Sequence, residues 1–73
     1  MITDADMAAD LAEIADQITE LLAQAEQLLS GPEHRHILAH AQAYWLDHAR
    51  GAIEGRPYGG SMRGAVRELR GEE

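Results

Sequence analysis

Apolar residues along the first part of the chain recur alternately three and four positions apart: Leu11, Ile14, Ile18, Leu21, Ala25 and Leu28, with Met7 one step earlier. This spacing is the seam of an amphipathic helix, and it runs for about three heptads without a Gly or Pro. Leu22 and Leu29, with Ala8 and Ala15 below them, line one flank. They widen the stripe from a two-stranded seam toward a bundle face. Thr3 or Asp4 suits an N-cap, and Asp6 and Asp10 suit the positive end of the helix dipole. The pattern predicts helix 1 over about residues 4–29.

Ser30-Gly31-Pro32-Glu33 breaks that pattern. Gly31 suits a left-handed helix end and Pro32 the first turn of a following helix. Ser30 and Glu33 have the S-x-x-E spacing of a capping box. So short a connection implies two antiparallel neighbours.

Helix 2 is predicted over about residues 32–54. One wide apolar face collects Ile37, Leu38, Ala41, Tyr44, Trp45, His48, Ala52 and Ile53, and a weaker stripe collects Ala39, Ala43 and Leu46. The wide face packs on the helix 1 seam, with Trp45 as its core anchor; the weaker stripe, which rests on Leu46, asks for cover from outside the hairpin. A loop follows over 55–61. Ser61 then caps a short helix over about 62–70, weakened by Gly64, with Met62, Val66 and Leu69 on one side and Arg63, Arg67 and Arg70 on the other. The basic side is expected along acidic helix 1, in the same chain or a neighbouring one. The expected fold is therefore all-α: one domain over 1–73, an antiparallel helical hairpin plus a short C-terminal helix, dimerising into a four-helix bundle. Leu11, Ile14, Ile18, Leu21, Leu28, Ile37, Leu38, Ala41, Trp45 and Ile53 would be its interior.

Size sharpens the expectation of self-association. A 73-residue chain builds a core contributing only about 3–5 kcal/mol, and such domains lean on disulfides, metals or oligomerisation. With no cysteine, disulfides and thiolate sites are excluded. A homodimer or docking to another protein is the leading remedy, and a histidine or carboxylate metal site comes second. No apolar run approaches the ~20 residues of a membrane span. The acidic start does not resemble a signal peptide, so a cytoplasmic protein is expected.

Charge narrows the partners. The net charge is −7, and residues 1–29 hold Asp4, Asp6, Asp10, Glu13, Asp16, Glu20 and Glu26 with no Lys or Arg. Such a helix repels phosphate, which excludes nucleic acid as the main ligand. Three arginines diluted by three glutamates in the tail make a poor footprint for it as well. The candidate interaction surface comprises Asp10, Glu13, Asp16 and Glu20, the Tyr44 and Leu46 side of helix 2, and Arg63, Arg67 and Arg70.

Candidate chemistry centres on four histidines, all in helix 2: His34, His36, His40 and His48. His36 and His40 stand one turn apart, a chelating separation. Glu33 and His36 form E-x-x-H, a spacing that resembles ferritin-like di-metal bundles. That resemblance implies a divalent transition metal held by Glu33, His36 and His40, with Glu26 of helix 1 in reach and dimerisation completing the site. The plainer account makes Glu33 a capping residue, metal uptake by His36 and His40 incidental, and His48 a hydrogen-bonded core residue. Protonating all four histidines would move the formal charge from −7 to −3.

Catalysis finds no support. Ser30 and Ser61 are explained as caps, and Tyr58-Gly59-Gly60-Ser61 lacks the lysine of a phosphate loop. The pattern points to a small acidic, non-catalytic protein–protein interaction module: a regulator, adaptor or inhibitor. The alternatives are a metal-binding helical bundle and an acidic mimic of nucleic acid that occupies a basic groove.

Overall fold

A computed structural model describes residues 1–55 and 60–71. The expected loop residues 56–59 and the last two residues of the chain lie outside that range. Four α-helices and one 3-10 turn account for most of the described residues, and no strand occurs among them. No helix among them is long and apolar enough to cross a membrane.

α1 spans Asp4–Leu28. Its start is a capping box: Thr3 Oγ1 accepts from the Asp6 amide at 3.1 Å, and an Asp6 carboxylate oxygen accepts from the Thr3 amide at 3.2 Å. Two of the orphan amides at the helix start are thereby satisfied. The other end differs from expectation. Gly31 has a φ of −66°, so no left-handed residue closes the helix. Instead the Ser30 hydroxyl donates to the Gln27 carbonyl at 2.6 Å, and the Ser30 amide donates to the same oxygen at 3.1 Å. That occupies Ser30, so the expected Ser30–Glu33 capping box does not form. Gly31 itself is the extended N-cap of the 3-10 turn Pro32–His34, with Pro32 at its first position.

The expected second long helix is broken. α2 covers Arg35–Ala43 and α3 covers Trp45–Glu54. Tyr44 separates them with φ −121° and ψ −88°. Hydrogen bonds still run up to the break and away from it: the Tyr44 amide donates to the His40 carbonyl and the His48 amide to the Tyr44 carbonyl, both at 3.0 Å. The break changes which side faces inward. Ala41 and Leu46 are both completely buried, although five residues of unbroken helix would set them about 140° apart. Leu46 was expected on the outer stripe and Trp45 in the core. The rephased helix reverses them, with Leu46 at 0% exposure and Trp45 at 48%.

α4, Met62–Leu69, begins as expected: Ser61 Oγ accepts from the Gly64 amide at 3.0 Å. It packs on both α1 and α3. Gly71, just past its end, has a φ of 80°. The Gly71 amide donates to the Glu68 carbonyl at 3.0 Å and the Arg70 amide to the Val66 carbonyl at 3.1 Å. A glycine in the left-handed region is the usual way to satisfy the last carbonyls of a helix.

The buried side chains are few and mostly small. Ala8 and Ala15 of α1, Ala41 of α2, Leu46 and Ile53 of α3, and Val66 of α4 form the hydrophobic core, with Ser61 and Gly64 beside them. α1 and α4 pack on each other, and Gly64 is buried; small buried side chains on both helices suit a close packing. The buried line on α1 is therefore the flank, not the seam. Met7, Ile14, Leu21 and Leu28 each precede a flank residue by one position, about 100° around the helix, and they remain 46–79% exposed. Leu11 and Ile18 are half-buried between the two lines. In the single chain Ile37, also expected inside, is half exposed.

The result is a thin, elongated molecule. Its Cα atoms extend 50 × 20 × 13 Å with a radius of gyration of 14.9 Å. A compact domain of this length has a radius near 11 Å. The chain exposes 5357 Å², where a folded monomer of 8.0 kDa exposes about 4450 Å².

Candidate interaction surface

Among the described residues the outer side of α1 carries a row of four exposed large apolar side chains. Met7, Ile14, Leu21 and Leu28 repeat every seven residues along one line. Every seventh residue of a straight helix drifts only about 20°, so the four side chains form a nearly straight ridge. Asp10, Gln17 and Gln24 lie along its outer margin, all exposed. Glu13 and Glu20 follow farther round, also exposed.

Asp16 has a different role from the other three acids proposed for the surface. Arg63 of α4 donates to Asp16 at 2.7 Å and to Glu54 of α3 at 2.9 Å. One guanidinium thus ties α4 to both neighbouring helices, and the two carboxylates hold its pKa above the ordinary arginine value. Of the basic side of the last helix, Arg63 reaches acidic α1 within the same chain. Arg63 is therefore a structural clamp, while Arg67 and Arg70 are exposed.

Glu26 is a second clamp. Arg50 of α3 donates to it at 2.7 Å and Gln42 of α2 at 3.1 Å. One carboxylate on α1 therefore holds the segments on both sides of the Tyr44 break. The Arg50 hydrogen bond first, and the Gln42 bond second, hold the Glu26 carboxyl below its ordinary range. The same contact raises Arg50. Sequence reasoning had placed Glu26 within reach of a histidine metal site. The missed signal was Arg50, the one cation in the C-terminal half of the second apolar pattern.

The histidine positions are brought together only in part. His36 and His40 meet edge to face with ring centroids 4.6 Å apart, and His40 stacks on Tyr44 at 5.9 Å. These rings make a ladder on α2 that ends at the break, with Tyr44 60% exposed. Ala39 and Ala43 complete an open depression beside it. Glu33 does not join them. Its carboxylate folds over Gly31, where a Cβ would come within 2.7 Å of it, and lies 3.6 Å from His34 Nδ1. Among the described residues no three His, Cys, Asp or Glu side chains converge as metal ligands would. Leu46, expected on this surface, is interior and takes no part. The depressions along α1, beside Gln24, Gln27 and Leu28 and beside Gln17, Glu20 and Leu21, are likewise open to solvent.

Compared with known protein families, curated proteins and solved structures, the chain matches none.

Proposed function

We propose that the protein is a small non-catalytic protein–protein interaction module, a regulator, adaptor or inhibitor, that works as a homodimer. In this reading two helical hairpins, each carrying its short C-terminal helix, associate as a four-helix bundle in the cytoplasm. The observation that carries it is the uncovered apolar ridge Met7, Ile14, Leu21 and Leu28 on the longest helix. Scattered apolar residues on a surface are ordinary; an aligned row rimmed by polar groups marks an interaction site. The fold adds weight, since a small helical fold whose one large fully buried side chain among the described residues is Leu46 has little core of its own. Asp10, Glu13 and Glu20, on the polar side of α1 beyond the ridge, would select a basic or neutral surface over an acidic one on the protein that the dimer binds.

The test is sedimentation equilibrium of untagged protein between about 1 and 100 µM. A monomer–dimer equilibrium within that range is expected. A protein that stays monomeric and fully helical at the highest concentration sinks the homodimer part of the reading.

A further inference from the structure

We infer that the second copy docks along the α1 ridge, and that the two α1 helices run antiparallel across a two-fold axis. This rests on the homodimer reading and adds the face, the orientation and the residues.

The choice of occupant follows from the repeat. Knobs-into-holes packing needs a seven-residue spacing on both partners. Among the described residues Ile37 and Tyr44 are also exposed and seven apart, but the line on α1 is longer, four side chains on one unbroken helix, and its own copy presents a matching line. A two-fold pairing brings the same patch together from both sides. With Met7, Ile14, Leu21 and Leu28 as one set of seam positions, the half-buried Leu11 and Ile18, with Ala25, supply the other. The surface leaves room for it: the elongated chain as a whole exposes about 900 Å² more than a compact monomer of its mass, and a standard interface removes about 800 Å² per partner.

Charge chooses the direction. Five of the seven acids on α1 lie in its first half, at Asp4, Asp6, Asp10, Glu13 and Asp16, and the remaining two are Glu20 and Glu26. Arg63 and Arg50, the cations packed against this helix from α4 and α3, engage Asp16 and Glu26. A parallel pair would lay the unpaired acid-rich ends side by side, with the positive helix ends also together. An antiparallel pair sets Asp4, Asp6 and Asp10 beside the partner's second half, where the ridge margin is Gln17 and Gln24 and the acids are only Glu20 and the ion-paired Glu26. It also opposes the helix dipoles.

The chain has no cysteine, so single thiols placed at exposed Ala5 or Ala23 carry a spin label unambiguously. Distances between labels in the dimer then report orientation. With about 1.5 Å rise per residue, an antiparallel pair places the Ala5→Cys labels roughly 10–30 Å farther apart than the Ala23→Cys labels. A parallel pair makes the two distances equal, and equality overturns the inference. In sedimentation, Leu21→Asp is expected to weaken self-association by about 100-fold, while Ile37→Asp on α2 leaves it within about threefold. Loss of the dimer with Ile37→Asp and not with Leu21→Asp would overturn the α1 face while leaving a homodimer standing. A wild-type protein that never dimerises removes both. If Leu21→Asp fails to fold, the label distances still decide, because neither labelled position is buried.

Discussion

The reversal of Trp45 and Leu46 can be tested by truncating each. Leu46 has no exposed surface, and replacing a fully buried leucine with alanine costs about 2–5 kcal/mol through lost burial and the cavity left behind. A domain of this size has about 3–5 kcal/mol in total, so Leu46→Ala removes from about two-fifths to all of the stability. Trp45 keeps 48% of its surface exposed. If a fully buried tryptophan costs about 3–5 kcal/mol, half burial scales that to roughly 1.5–2.5 kcal/mol. The assay is urea unfolding followed by circular dichroism at 222 nm, which does not depend on the tryptophan. Running it at about 5 and 100 µM separates chain stability from self-association, since only the latter moves the midpoint with concentration. At the lower concentration Leu46→Ala should lower the midpoint further than Trp45→Ala. The opposite order would mean an unbroken helix with Trp45 inside, and the rephasing at Tyr44 would be refuted.

Acid should weaken the fold partly through Glu26. Its folded-state pKa is lowered, so its contribution is complete above the unfolded carboxylate value near 4.5 and is lost as pH falls through the lower folded value. Glu26→Gln should therefore flatten thermal stability against pH between about 5 and 3, and an unchanged slope would count against the clamp. Arg63→Ala removes two exposed ion pairs at once and should cost about 0.5–1 kcal/mol in low salt. Most of that difference should vanish in about 1 M NaCl, checked by urea midpoints at both ionic strengths. Gly71→Ala meets no neighbour within 4 Å, so its cost of about 1 kcal/mol is purely that of a positive φ. Urea unfolding would show it, and no loss would mean the helix end re-forms without the left-handed residue.

Much of the fold was readable because its signals are local. The Thr3 cap, the Pro32 start, the Ser61 cap and the approximate span of α1 each depend on a few adjacent residues. The break at Tyr44 had no such signal: residues 35–54 contain no proline, and Gly51 lies beyond the break within α3. Nothing in the structure accounts for its placement at Tyr44 rather than a neighbour. The facing of α1 failed for a physical reason. Hydrophobic periodicity finds the apolar arc of a helix but does not say which part of a wide arc the chain itself covers. The flank that α1 buries is marked by the small Ala8 and Ala15, both at 0% exposure, which propensity alone reads as filler. Of the proposed surface, Asp10, Glu13, Glu20, Tyr44, Arg67 and Arg70 are exposed, whereas Leu46 is interior and Asp16 and Arg63 are bonded to each other. Telling a clamp from a docking residue requires knowing which charges meet across the fold, and spacing along the chain does not contain that.

The interrupted return path leaves α2 differently attached from the rest. Ala41 is its one fully buried side chain, and Gln42 gives it a single side-chain hydrogen bond to α1. α3 and α4 share the deeper packing around Leu46, Ile53 and Val66. α2 is thus expected to open at a fraction of the global unfolding free energy, and hydrogen exchange should find its amides less protected than those of α1, α3 and α4. His36 and His40 ride on that unit. If that arm opens, a molecule that touches them would meet docked and released forms, and its apparent affinity would be scaled by the fraction that presents the competent one.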